Sequence, residues 1–304
     1  MLEADCHDRR HAYGPASNGS LTLLCTCFFV IVWQSDYPMR KNAYFHLALK
    51  DIYLGFRQWG LAYLLGVGDT KQRYSRSKLG QFWITLSMLI FIIAIGVVYS
   101  FLFHQTLKVF LPYVACNYVI WSWMSASIID STTTFVQAQA YIKQTSIPRT
   151  VFVLRTLVRN FVSMGHNFII IPLVYLCTQH PVSWTIILAL PGFLFILACG
   201  FFSCLSIGVI CTRFRDIPQI VQAMLQVFMF VTPIMWPVTS LNENARVIVE
   251  YNPFAAVLHM VTQPLQGIVP SLWEYSIASG TLLLLMAFGL YIFARFRARI
   301  VYWL

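Results

Sequence analysis

The sequence is short of charge. Of 304 residues only 11% are Asp, Glu, Lys or Arg, while 58% are hydrophobic; a soluble domain carries about 25% charged residues. So little charge cannot clothe a water-soluble fold, which excludes that class and implies an integral membrane protein. Acids are the scarcest: 11 against 21 Lys and Arg, a net charge of +10. The basic residues sit beside apolar runs and form no extended stripe, so inside-positive membrane topology accounts for them and a nucleic-acid partner is excluded. Catalytic signatures are missing as well. There is no HExxH, no GxSxG and no pair of carboxylates at catalytic spacing. GxxxxGK[ST] is absent too, so the chain binds no ATP through a phosphate loop, and ATP-driven work would need an ATPase on another polypeptide. The eight cysteines are scattered; Cys177, Cys199, Cys204 and Cys211 fall in apolar runs, where free Cys acts as a small hydrophobe. Cys25 and Cys27 form a lone CxC, and His104, His166, His180 and His259 are dispersed, so no metal site and no bound cofactor are expected.

What the chain does have is organised around Lys71–Phe103. Lys71, Arg73, Arg76 and Lys78 come first with no acid among them, and residues 82–103 follow without a charge. Those residues, about 22 in number, reach about 33 Å as a helix, enough to cross a bilayer's hydrocarbon. A basic cluster abutting a span marks its cytoplasmic end. Upstream, Phe45, Leu49, Ile52, Phe56, Trp59 and Tyr63 recur at steps of four and three, with His46, Lys50, Arg57 and Gln58 on the other side. This predicts an amphipathic helix lying at the headgroup boundary, ended by Gly66-Val67-Gly68. Residues 1–38 read as an uncertain N-terminal extension: Leu21–Trp33 is short for a span, and Met39 with Arg40 and Lys41 offers an alternative start.

Five further spans are predicted near Pro112–Phe135, Thr156–Thr178, Trp184–Cys211, Ile220 to the Pro233/Pro237 pair, and Ser276–Ala294. Two of the 21 Lys and Arg lie in the first 38 residues. Of the other 19, six spans with both ends inside leave only Lys108 and Arg246 outside, a decisive bias. The fold class expected is therefore all-α integral membrane. It comprises six transmembrane helices, an N-terminal interfacial amphipathic helix, and short re-entrant helices before the last span, where Pro253, Pro264 and Pro270 break a semi-apolar stretch. Residues 39–80 form the cytoplasmic interface region and 81–304 the six-helix membrane domain, with both termini cytoplasmic.

Three groups of residues invite a functional reading. Arg73, Arg76 and Lys78 either set topology or grip a phosphate at the membrane surface, where Arg can bind bidentately. Tyr99, Tyr118, Trp121, Phe228 and Trp236 either line a path for sugar rings or anchor and pack in the ordinary way. The connection Gln137–Arg149 carries Ala138, Ala140, Tyr141 and Ile142 beside Lys143 and Gln144, more apolar content than an idle loop needs, which suggests docking to something. A second connection, Thr212–Pro218, holds Arg213, Arg215 and Asp216. Asp130, before Ser131-Thr132-Thr133-Thr134, either caps a following helix or takes part in transport.

Taken together, RYSRSKLGQFWITLSM, DSTTTFVQAQAYIKQTSIPR, TRFRDIPQIVQ, the YNPF turn and the ending RFRARIVYWL resemble the permease subunit of type-2 ABC exporters for O-antigen or capsular polysaccharide, the Wzm-like group. The resemblance covers about Leu47 to Leu304. It implies a homodimer in the bacterial inner membrane, paired with ABC ATPase subunits that bind ATP and Mg. Coupling helices would match Gln137–Arg149 and, secondarily, Thr212–Ile217. The substrate would be a polysaccharide, often linked to undecaprenyl diphosphate, with Ser77-Lys78-Leu79-Gly80 matching a loop near the lipid headgroup. Teichoic acid or another amphiphile is the alternative cargo. A membrane-embedded glycolipid-modifying enzyme is the alternative of a different class, and it would need an acidic or histidine cluster that the sequence does not present.

Overall fold

The computed structural model describes residues 41–75, 80, 82–238 and 242–304. The reading of residues 1–38 as an extension lies outside the described residues. Every regular element described is helical: α1 (Lys41–Arg57), α2 (Trp59–Tyr74), α3 (Phe82–Leu102), α4 (Leu107–Ser131), α5 (Thr134–Gln137), α6 (Gln139–Gln144), α7 (Arg149–Phe168), α8 (Ile170–Thr178), α9 (Ala189–Arg213), α10 (Ile217–Val231), α11 (Glu243–Glu250), α12 (Pro253–Leu265), α13 (Leu272–Phe296) and α14 (Ile300–Trp303), with 3₁₀ turns at Trp184–Leu188 and Arg297–Arg299.

Four of these stretches are long and apolar enough to cross a membrane: Phe82–Leu102, Arg149–Thr178, Trp184–Arg213 and Leu272–Trp303. The chain is thus a multi-pass membrane protein, but two of the six expected spans differ from this group for distinct reasons. Helix α4 has 25 residues and the length to cross, yet it spends them on Asn117, Tyr113, Tyr118, two Trp and a run of Ser. It is half buried within the protein, with Phe110, Val114, Ile120 and Trp121 in the core. Helix α10 is apolar but has 15 residues, about 22 Å against about 30 Å of hydrocarbon.

The core is where α4, α9 and α12 meet. Helix α12 is wrapped by protein almost all round: Ala255 through Thr262 and Leu265 are buried. Its approach to α9 is set by Gly192, because a Cβ there would collide with the Met260 carbonyl. Asn252 accepts from Phe254 N at 2.9 Å and caps α12, with Pro253 supplying the first-turn φ. The amide of Asn252 donates to Thr232 Oγ1 at 3.0 Å, tying α12 to the irregular stretch after α10. Along that stretch the Tyr113 hydroxyl sits 2.9 Å from both the Pro233 and Trp236 carbonyls, and Trp236 Nε1 donates to Phe230 O at 3.1 Å. Protein groups thereby satisfy non-helical backbone that lipid could not. At the start of α13, Ser271 and Glu274 form a capping box, and Glu274 Oε1 lies 2.6 Å from both His259 Nδ1 and Gln263 Nε2 of α12.

The predicted stop at Gly66-Val67-Gly68 does not occur. The helix breaks instead at Gln58, and α2 then runs on to Tyr74. Gly66 is a point of close packing, since a Cβ on it would lie 2.8 Å from the Arg155 carbonyl and 2.9 Å from Val158 Cγ1 of α7.

Candidate functional site

The arrangement that positions the functional candidates lies at the basic end of the bundle, where α2 runs along the first turns of α7 and α1 meets its start at Thr150. These two helices have opposed faces. Phe45, Leu49, Phe56, Trp59 and Tyr63 are all exposed, as a face against lipid requires. The other face is small and acidic: Ala48, Asp51, Gly55, Ala62, Gly66 and Thr70 are buried at three-, four- and seven-residue steps. A Cβ on Gly55 would meet Thr150 Cβ at 2.6 Å, so the helix backbones approach closely here as well.

Two acids lock this contact. Asp51, 5% exposed, accepts from the Thr150 amide at 3.1 Å and its hydroxyl at 2.9 Å. A carboxylate at this place caps α7 and meets the positive end of its dipole. The other Asp51 oxygen faces Arg297 Nη1 at 3.2 Å, and the same Nη1 donates to Leu47 O at 2.7 Å. Eighteen residues on, Asp69 holds Arg155 bidentately, with both distances 2.6 Å. Arg159 is 3.7 Å from Asp69 and 2.9 Å from Asp130, and its Nη1 donates to Gln137 at 2.8 Å. Asp130 is therefore an ion-pair partner; the residue at the N-cap of α5 is Thr133. The chain of contacts Asp69–Arg159–Asp130/Gln137 joins α2 and α7 to the connection after α4.

That connection folds as two short helices. Ala138 and Ile142 point inward, Ile142 being 5% exposed. Tyr141, 42% exposed, rests on Phe152 with ring centroids 6.2 Å apart, and the Arg155 guanidinium lies 5.7 Å from its ring. Val136, Gln137, Gln139, Ala140, Lys143 and Gln144 line a shallow depression open to the outside. In the second connection Arg213, Arg215 and Asp216 are exposed, and Arg213 lies 5.8 Å from the Trp303 ring. Gln139 Nε2 donates to Leu304 O at 2.6 Å. Both connections therefore meet the segment that follows α13.

Of the phosphate candidates, Arg73 is exposed on the last turn of α2; Arg76, Lys78 and Leu79 lie outside the described residues. Gly80 has φ +56°, a left-handed conformation natural to glycine at the approach to α3. The aromatic candidates do not form one surface in the protomer. Tyr118 pairs with Phe91 at 4.7 Å and Tyr99 with Phe103 at 5.8 Å. Trp121 is 3% exposed against Phe254, which also stacks near Phe228 at 4.5 Å. Within one protomer, Trp121 is a core residue.

Asp51, Asp69, Arg155 and Arg159 escaped the sequence reading. A signal for the first two exists: they share the small-residue face opposite the aromatic stripe. Arg155 and Arg159, one helical turn apart, announce nothing until Asp69 is brought to them.

Most of this region falls within a stretch that is similar to known proteins. The ABC-2 type transporter family, described by its membrane domain, matches residues 62–265. Two curated proteins of Klebsiella pneumoniae, each named O-antigen export system permease protein RfbA, are 26% identical to this chain over 208 residues, covering 62% of it and 74% of their own length. The family match opens within α2 and closes at the end of α12, so it contains every ion pair of the α2–α7 lock and both connections.

Proposed function

The chain belongs to the ABC-2 type transporter family, and from that premise we propose that it is the membrane subunit of an exporter that moves polysaccharide across the bacterial inner membrane. A separate ABC ATPase subunit, carrying ATP and Mg, drives it. The observation that carries the reading is the family match across residues 62–265 together with similarity to the two O-antigen export permeases. In this reading the basic end is cytoplasmic, α4 and α10 complete six spans, α11 and α12 are re-entrant from the far side, and both termini are cytoplasmic. Residues 39–80 are the interface region and 81–304 the membrane domain.

The subunit works as a homodimer. Helix α10 buries only Leu225 in the protomer, and Ile220, Met224, Val227 and Phe230 stand exposed on it; a second copy together with lipid would cover that face. Aromatic groups such as Tyr99, Tyr118, Phe228 and Trp236 then line the sugar path. The ATPase docks on the depression around Gln139, Ala140, Lys143 and Gln144, with Tyr141 at its edge, and secondarily on Arg213, Arg215 and Asp216. The cargo is a lipid-linked glycan, with undecaprenyl diphosphate as the carrier. Arg73, Arg76 and Lys78, beside Leu79 and Gly80, grip its diphosphate as it leaves the inner leaflet.

Co-expression with a candidate ABC ATPase and reconstitution into proteoliposomes tests the reading. The chain alone hydrolyses no ATP, whereas the complex hydrolyses ATP and carries a diphospholipid-linked glycan across the bilayer. ATP hydrolysis by the chain without its partner, or a stable complex that moves no lipid-linked glycan, overturns it. Reversing Arg73 and Arg76 to Glu abolishes transport with topology preserved; if topology inverts instead, the cluster only orients the chain.

A further inference from the structure

The residues after α13 touch α1 and both connections at the basic end. Arg297 reaches Asp51 at 3.2 Å and the Leu47 carbonyl at 2.7 Å, so the segment is fixed to α1. Six residues on, the Trp303 ring lies under the Arg213 guanidinium at 5.8 Å, which fixes it to the second connection. The Leu304 carbonyl accepts from Gln139 at 2.6 Å, which fixes it to the first. Phe296 and Trp303 pack with ring centroids 5.6 Å apart, and Ile300 between them is fully buried. Arg297–Leu304 is thus packed back against the end of α13.

We propose that Arg297–Leu304 is a strap that makes the interface helix and both connections move as one body, with Arg297 and Trp303 as its positioning residues. The inference rests on reading the two connections as ATPase-facing. A displacement imposed on α6 by a bound ATPase has two routes to α1 and α2. One runs through Gln137, Arg159 and Asp69; the other runs through the strap to Arg297 and Asp51. The second runs along the strap backbone and enters in the middle of α1, at Leu47 and Asp51, 18 residues before Asp69, so with both intact the interface helix cannot pivot about Asp69 alone. Movement then arrives at the Arg73 end as translation.

The strap is tested in the reconstituted complex by hydrogen–deuterium exchange with and without ATP, Mg and orthovanadate, alongside transport and ATP hydrolysis. In the unaltered complex, trapped nucleotide changes exchange in both residues 137–148 and residues 44–57. In Trp303→Ala and in Arg297→Gln the change at 137–148 persists, the change at 44–57 is lost, and transport per ATP falls about fivefold or more, the low end for energetic coupling between sites. Trp303→Phe, which keeps a ring under Arg213, restores both. A wild-type complex in which neither region responds overturns the exporter reading and the strap with it. If the unaltered complex responds and transports, the strap alone is overturned by any of three results: an unchanged response at 44–57 in both variants, equal loss in both regions, or a Trp303→Phe variant that behaves like Ala.

Discussion

Gly66 and Gly68 stand two residues apart in α2 and predict opposite effects from the same change. In a helix interior Ala is favoured over Gly by about 1 kcal/mol. A Cβ on Gly68 meets nothing within 4 Å, so that preference should be realised in full. A Cβ on Gly66 would sit 2.8 Å from the Arg155 carbonyl and 2.9 Å from Val158 Cγ1. The carbonyl belongs to the α7 ladder and cannot give way as a flexible side chain would, so α2 must move off, and overpacking of this kind costs about 1–3 kcal/mol. Three residues further along α2, the bidentate Asp69–Arg155 pair resists that movement. After the propensity gain, Gly66→Ala should weaken the α2–α7 contact by about 1 kcal/mol, while Gly68→Ala strengthens the helix by a similar amount. Local opening of α2 exposes its amides, so exchange in residues 59–74 should speed up about fivefold in Gly66→Ala and slow about twofold to fivefold in Gly68→Ala. The measurement is amide exchange on the purified intact protein, with residues 253–265 as an internal reference. Equal effects at the two glycines, or faster exchange in Gly68→Ala than in Gly66→Ala, would refute the claim that α2 is held by backbone approach to α7.

Neighbouring residues in α6 should likewise part company. Tyr141→Asp keeps folded yield but weakens capture by an ABC ATPase, because the ring is exposed; Ile142→Asp loses folded protein, because it buries an unpaired charge at a cost of several kcal/mol. Size-exclusion recovery and ATPase pull-down separate the two. Asn252→Ala removes the α12 cap and orphans the Thr232 hydroxyl, which should destabilise α12 by about 1–2 kcal/mol, read as faster exchange in residues 253–262. Asp69→Asn and Arg155→Gln should each loosen α2, while the double change costs less than their sum; strict additivity in the exchange of residues 59–74 would sink the pairing.

Much of the helical layout was legible because its causes are local. An uncharged run after Lys78 can only be a span, and a 3.6-residue stripe of aromatics can only be one face of a helix. The sequence is ambiguous where two meanings share one residue. Glycines at 66 and 68 look like a stop signal, yet the first is an approach point and the helix continues. Asp130 looks like a cap for the same reason: a short acid before Ser and Thr suits one, and the Arg that claims it is 29 positions away. Trp121 and Ile142 carry no mark that separates a ring facing a path, or an apolar side chain facing a partner, from one facing the core.

The sequence by itself determined that this chain lives in a membrane, roughly where its longest apolar helices lie, and which end of the bundle is basic, since hydropathy and charge act through neighbouring residues. Only the tertiary structure decided that Asp51 and Asp69 fasten the interface helix to α7, that Gly66 is a contact, and that the segment after α13 touches both connections. Those facts depend on groups separated by tens to hundreds of residues, and their energy exists only once folding has brought the partners within hydrogen-bond distance and removed the water between them.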